Sequence, residues 1–287
     1  MRHLFLFALA LVVFSCSSDD SSSSDDDGML PGGSNGTLIK TVKKVAAGGV
    51  VEERYDYQYN ALGNVTKLTS VTVYGQTITT FQYDTNDIMI SFTEVKTDPF
   101  DDVRTEIDYL EYDNDLIIGI CQDITYDNVQ SSFDDPEVDK IEFEYNNAQY
   151  VSMFTHYYEE DAEFNTCDDV SSMSNTEDLE YNASGNMSRY ENSDYFWTPS
   201  YLTYTYDDKN HPYGKVKPDA FRKLYGFSTI NNINSANEYN ADTDELMGTI
   251  AFSYQFNSNN YPTVLERTYT EAGGTPGQAT RYEYTYY

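Results

Sequence analysis

Imidazole titrates near neutral pH, so histidine is the first side chain to weigh for acid–base chemistry. Beyond the N-terminal leader the chain has His156 and His211. His211 precedes Pro212, as a turn residue does, and His156 alternates with Phe154 and Tyr158, as in a strand. Neither has the spacing of a zinc site or stands beside a Gly-x-Ser-x-Gly elbow, so both read as turn or surface residues. Carboxylates are the opposite case. The 48 Asp and Glu residues supply so many pairs that one suited to glycoside hydrolysis could fall anywhere, and abundance without geometry specifies nothing. Clusters such as Asp134–Asp135, Glu159–Asp161, Asp168–Asp169 and Asp242–Glu245 offer the oxygen ligands that Ca²⁺ prefers. None follows an EF-hand or aspartate–glycine register, so they read as solvated loop charge, with Ca²⁺ the one cofactor left open.

Two further groups could recognise rather than react. The segment "DYFWTPSYL" holds Tyr195, Trp197 and Tyr201, with the sole tryptophan of the chain. Exposed rings stack on sugar faces or anchor protein partners; packed against a sheet they are core. Cys121 and Cys167 are an even pair once a third cysteine, Cys16, is set aside. In an oxidising compartment they suit a disulfide, and two buried thiols are the alternative. No residue is assigned a catalytic, cofactor or metal role, and the reading leans away from an enzyme.

The elements that must carry these residues come from a repeated phrase. "YQYNALGNVTKL" (57–68), "FQYDTNDIMISF" (81–92), "LEYDNDLIIGI" (110–120), "FEYNNAQYVSMF" (143–154), "LEYNASGNMSRY" (179–190), "YTYDDKNHPYGKV" (204–216) and "YQFNSNNYPTVL" (254–265) share one grammar. An aromatic–polar–aromatic triplet is followed by Asn or Asp, two or three turn formers and a hydrophobic run. Residues two apart share a strand face, so Leu179 and Tyr181 pack together while Glu180 faces the other way. Asn182 bonds local backbone, Gly185 takes the positive φ a tight turn needs, and Met187 begins the return strand. Each copy is a β-hairpin, and spacings of 24 to 36 residues between most central aromatics mark a repeat architecture. The expectation is an all-β antiparallel meander of 14 to 16 strands over residues 38–287, curling into a barrel or half-barrel. One short helix is expected in "PDAFRKLYG" (218–226), between its Pro and its Gly.

The N-terminus gives an address. Residues 1–15 combine a basic start with an apolar run too short to span a bilayer, the pattern of a secretory leader. The sequence "LVVFSC" resembles a bacterial lipobox, which implies a lipidated Cys16 and stable membrane anchoring. Residues 16–37, rich in Ser and Asp, cannot bury apolar surface and form a tether of roughly 25 Å. An acidic run directly after the lipobox resembles the surface-export signal of Bacteroidetes-type lipoproteins. This implies an outer-membrane protein facing out of the cell, with a periplasm-facing one as the alternative. A formal net charge of −31 argues against nucleic acid and against electrostatic docking to anionic lipid. A transmembrane barrel is disfavoured as well, because Tyr287 is in phase with Thr285, Glu283 and Arg281 rather than with apolar residues.

The copies at Tyr59–Val65 and Tyr181–Met187 resemble the YD repeats of RHS-type proteins, which wind into spiralling sheets. A nearer resemblance over residues 38–287 is to uncharacterised Bacteroidetes surface lipoproteins that join an acidic tether to YD-like hairpins and an aromatic last strand. That resemblance implies architecture and no shared activity. The expected function is a non-enzymatic surface module that binds an unidentified glycan or protein. A carbohydrate-active hydrolase using a carboxylate pair and a purely structural envelope protein are the alternatives.

Overall fold

The computed structural model describes residues 37–99, 103–127, 138–159, 173–192, 199–224 and 229–287. Cys16, the tether up to residue 36, Cys167, Tyr195 and Trp197 lie outside them, as do Asp134–Asp135 and Asp168–Asp169. The chain folds into sixteen antiparallel strands. The first eight are β1 (Ile39–Val45), β2 (Val51–Tyr59), β3 (Val65–Thr72), β4 (Gly75–Tyr83), β5 (Met89–Thr97), β6 (Val103–Asp113), β7 (Leu116–Asp127) and β8 (Val138–Tyr145). The rest are β9 (Val151–Glu159), β10 (Met173–Tyr181), β11 (Met187–Asn192), β12 (Ser200–Asn210), β13 (Asn231–Asn240), β14 (Leu246–Phe256), β15 (Pro262–Glu271) and β16 (Thr280–Tyr286). One helix, α1 (Asp219–Leu224), lies between β12 and β13. Every strand pairs with its sequence neighbours, and β1 pairs with both β2 and β16, so the meander closes into a barrel with no free edge.

Five hairpin turns are built alike. In Asn60, Asp84, Asn146, Asn182 and Asn257 one side-chain oxygen accepts from the backbone N–H groups two and four residues on. The residue three places on is left-handed in each: Gly63, Asp87, Gln149, Gly185 and Asn260. Glycine is needed at Gly185 for a second reason, since a methyl there would meet the Tyr150 hydroxyl. The register then slips by one residue behind the central aromatic, as between Gln58 and Tyr59 and between Glu144 and Tyr145. This bulge adds twist at the same level of successive hairpins, which helps a long sheet curl shut.

The central tyrosines close the gaps between hairpins. Tyr59 donates to Ile39 O (2.9 Å), Tyr83 to Val65 O (2.5 Å), Tyr112 to Met89 O (2.6 Å) and Tyr145 to Ile117 O (2.7 Å). Tyr206, Tyr254 and Tyr286 repeat the bond to Met187, Ile233 and Pro262. Each joins one strand to the neighbour before it, at the residue where the wall begins to rise. In the copy ending in Phe256, which has no hydroxyl, Tyr254 two residues earlier makes the bond. A neutral hydrogen bond of this kind contributes about 1 kcal/mol net, and its recurrence explains why the repeat retains tyrosine rather than phenylalanine.

The two walls have opposite character. On β2, Glu53 and Tyr57 are buried while Arg54, Asp56 and Gln58 face outward. The outer wall carries ion pairs such as Arg54–Asp56 (2.7 Å), Lys140–Glu142 (2.8 Å), Arg189–Glu191 (2.7 Å) and Arg281–Glu266 (3.0 Å). A charged group facing lipid costs about 2–4 kcal/mol near the bilayer midplane, so this exterior is made for water. Val42, Tyr57, Leu68, Phe81, Phe92 and Phe143 point inward and form the core, while Val71, Ile90 and Tyr109 are exposed.

Candidate functional site

The barrel has a closed end and an opposite end. The hairpin turns at 60–64, 84–88, 114–115, 146–150, 182–186 and 257–261 share the first, the floor, with the long connection 211–230. The opposite end, the mouth, gathers the connections of variable length. Segment 211–224 seals the floor: Tyr213, Val216, Phe221 and Leu224 are all buried within the core. Phe221 packs edge-on against Phe81 (5.3 Å) and Tyr57 (6.5 Å), and the Tyr213 and Tyr57 hydroxyls lie 3.2 Å apart. Its path crosses from β12 to β3, where Val65 N donates to Lys217 O at 2.8 Å. The return is pinned by Asn186, whose side-chain oxygen accepts from Ile230 N (2.8 Å) and Asn231 N (3.0 Å). The sequence places a helix at 218–226, and α1 lies inside that span. Its role as a stopper depends on where it packs, which local sequence does not carry.

Toward the mouth the inner wall turns polar. Lys44 Nζ pairs with Glu53 (3.0 Å) and Glu52 (3.5 Å), and the Tyr55 hydroxyl donates to Glu53 at 2.9 Å. Burial, with Glu53 beside it, holds Tyr55 well above the ordinary phenol range. Farther round, Lys96 bridges Glu106 (2.6 Å) and Glu94 (3.4 Å), Arg104 pairs with Glu106 (2.6 Å), and Thr79 donates to Glu94 (3.1 Å). Asp108 sits one step below, where the apolar core begins. Gln122 donates to its Oδ1 at 3.0 Å, and Oδ2 has no hydrogen-bond partner among the described residues. Burial, then the charges of Glu94 and Glu106, push the Asp108 carboxyl up to about 8, so it is protonated at neutral pH.

His211 lies in a turn, as its spacing has it, with Gly214 N donating to its carbonyl oxygen at 2.9 Å, and His156 lies in a strand. His156 faces the interior from β9, 3.3 Å from Glu177. His211 opens the stopper, and burial, with Arg222 nearby, lowers it to about 3, so its ring is neutral. Alternation places His156 in a strand without saying which face turns inward.

A carboxyl cluster with one raised pKa is what the hydrolase alternative requires, and Glu94, Glu106 and Asp108 approach that condition. Glu106 is 0% and Asp108 4% exposed, so neither touches a substrate in this conformation. No group of three or more His, Cys, Asp or Glu among the described residues is arranged to hold a metal ion. Of the acidic clusters weighed for Ca²⁺, Asp242–Glu245 forms the β13–β14 turn, where Asn240 accepts from the backbone N–H groups of Asp242 and Thr243. Asp244 there accepts from the Tyr201 hydroxyl at 2.9 Å. Tyr201 lies on the outer wall, its ring stacked on Tyr239 (5.1 Å) with the Arg189 guanidinium 3.7 Å above its centre. Cys121 on β7 is disulfide-bonded, while Cys167, its expected partner, falls outside the described residues.

This architecture is that of an antiparallel sixteen-stranded barrel with a segment packed into its floor and ion pairs along its outer wall. No protein-family model and no curated protein sequence matches the chain. Among solved structures, a porin-like protein from Bacteroides uniformis is similar in fold, with a TM-score of 0.54 and 13% identity. The likeness covers 88% of this chain and 98% of that one. A porin-like protein from Bacteroides vulgatus (TM-score 0.39, 10% identity, 88% of this chain and 99% of that one) also matches. So does a TcdB2-TccC3-TEV structure (TM-score 0.31, 12% identity, 83% of this chain and 12% of that one).

Proposed function

We propose that the protein is a lipid-anchored cell-envelope module that displays a blind-ended barrel outside the cell and binds a glycan or protein there without chemistry. The observation that carries this reading is the stopper. With residues 211–224 built into the core, the interior is filled at the floor, and the parts free to vary are the mouth connections. A water-facing outer wall suits a domain held beside a membrane by a lipid on Cys16 rather than inserted into it. The two YD-like copies at Tyr59–Val65 and Tyr181–Met187 agree with a lineage of repeat-built surface lipoproteins.

Trp197, in the connection 193–199 between β11 and β12, is the chain's single tryptophan and gives a direct assay. Titrating the full-length chain with a panel of glycans and outer-membrane extracts should produce a saturable fluorescence change for at least one member. No response across the panel would leave the purely structural envelope role. Release of reducing sugar would favour the hydrolase instead. Acyl labelling that is lost in Cys16→Ser, and protease shaving of intact cells, test the anchor and the outward placement separately.

A further inference from the structure

Ion pairs line much of the outer wall, but one side of it carries no charge. Phe81, Phe92, Glu106 and Asp108 are buried on the inner face. The residues that alternate with them, every second one in 76–82, 91–97 and 103–109, therefore point outward. These twelve positions hold Thr, Gln, Ser, Ile, Val and Tyr and no Asp, Glu, Lys or Arg, in a chain that is 23% charged. Ile78 pairs with Val95, Thr93 with Ile107 and Ser91 with Tyr109, so the apolar members are neighbours. Tyr109 is 48% exposed, and Val71 beside them on β3 is 42% exposed. Across the barrel, the outer positions of β13 and β14 are uncharged too, but Ser235, Asn237, Thr249 and Ala251 are small and offer little apolar surface to bury.

Two opposite charges border the uncharged side at one height. Lys67 lies two residues into β3 from its floor turn, and Glu111 lies two residues before the floor end of β6. Neither has an ion-pair partner among the described residues; Lys140, which feels Glu111, is bonded to Glu142 at 2.8 Å.

We propose that the outer face of β3–β6 joins two copies of this chain about a two-fold axis parallel to the barrel axis and passing between β4 and β5. Such an axis lays the β3 edge of one copy on the β6 edge of the other at equal height, so Lys67 of each copy faces the partner's Glu111. A two-fold axis at right angles to the barrel would set Lys67 against the uncharged mouth end of β3, and the charges select the parallel one. Charge also selects the occupant. Two chains of net charge −31 repel wherever their carboxylates come within the screening length of about 8 Å, and this face brings none together at its centre. Flat rows of Thr, Ile and Val suit sheet-on-sheet packing. Four strands about 4.8 Å apart and about eight residues long cover about 500 Å² per copy, which puts the pair at the lower limit of specific interfaces, about 1,000 Å² in total. The dimer is therefore weak, with Kd on the order of 10 μM. Both floor ends, where β1 begins beside β16, then point the same way. That agrees with a lipid on Cys16, but the interface does not rest on the anchor.

The test is sedimentation equilibrium of the whole chain from residue 16 onward, carrying Cys16→Ser so that no acyl group drives association. Over about 1 to 300 μM the mass should rise from one copy toward two. Thr80→Glu, at an exposed position beside the axis, brings two like charges together and should weaken the dimer at least about tenfold. Lys67→Glu and Glu111→Lys should each weaken it about fivefold, and the double swap should restore it to within about twofold, because the pair forms only between copies. Ala251→Glu, on the uncharged wall across the barrel, should change nothing. A single copy at every concentration overturns the proposal, as it must if another segment of this chain or a different protein covers the face. It is equally overturned by a dimer that Ala251→Glu disrupts and Thr80→Glu does not, or by single swaps that the double swap fails to rescue.

Discussion

Replacing Asp108 by asparagine tests whether the inner wall holds a carboxyl at the expense of stability. The change preserves shape and keeps an oxygen to accept from Gln122 Nε2, which lies 3.0 Å from Asp108 Oδ1. In the folded state burial and the flanking Glu94 and Glu106 raise the carboxyl from 3.8 to about 8. A raised carboxyl means that the folded state binds the proton more tightly than the unfolded chain does. Between the two values the native protein therefore holds a proton that the unfolded state has released, and stability falls as pH rises. At about 1.4 kcal/mol per unit, the penalty at pH 7 is on the order of 4 kcal/mol, an upper bound that relaxation of the site reduces. An amide at this position does not titrate and bears no such penalty. Denaturant unfolding of the two proteins in parallel should give an Asp108→Asn gain near zero at pH 4, rising to about 2–4 kcal/mol at pH 7 and level above pH 8. A gain that does not change with pH, or a loss at pH 7, would refute the assignment of Asp108 as a buried, protonated acid.

Four other outcomes follow from the geometry. Gln149 occupies a left-handed turn position at φ 62°, so Gln149→Gly should stabilise the protein by about 0.5–1 kcal/mol by removing Cβ strain. Gly185→Ala, which adds a methyl where the Tyr150 hydroxyl already sits, should instead lower the melting temperature. Tyr112→Phe deletes the bond to Met89 O and should cost about 1–2 kcal/mol, with near-ultraviolet circular dichroism otherwise native. Phe221→Ala opens a void in the stopper between Phe81 and Tyr57 and should cost about 3–5 kcal/mol in chemical denaturation.

How far the sequence reaches can be judged element by element. The hairpins were legible because their cause is local. An Asx residue that satisfies two amides, a left-handed residue three places later and a period-two aromatic pair all lie within a single short stretch of chain. The number of strands followed from counting copies, and the short helix from its Pro and Gly. Closure was not local. Whether the sixteenth strand meets the first depends on twist accumulated over the whole sheet, and the expectation could state only a barrel or half-barrel. The hydroxyl clamp was invisible for a related reason: Tyr112 and Met89 are 23 residues apart, and a tyrosine that must bond reads like one that only packs. Nor does alternation reveal which face is wet, and so Glu106, Asp108 and His156 passed as ordinary charged or surface residues.

The outer wall joins ion pairs to exposed apolar residues such as Val71 and Tyr109, and the inner wall joins an apolar core to buried charge at Lys44, Glu53 and Glu106. A membrane barrel places its apolar residues outward and keeps polar ones within. Here β2 sends Tyr57 in and Arg54, Asp56 and Gln58 out, and the same phase holds at β16, where Tyr282 and Tyr284 are buried while Arg281 and Glu283 pair on the outside. Similarity in fold to a porin-like protein therefore concerns the path of the backbone and does not fix the solvent. An inward apolar face needs something to fill it, since sixteen strands enclose more space than their own side chains occupy. Segment 211–224 supplies part of that filling at the floor. The same few residues, Tyr213, Val216, Phe221 and Leu224, thus tie the β12–β13 connection to the core from which the strands rise.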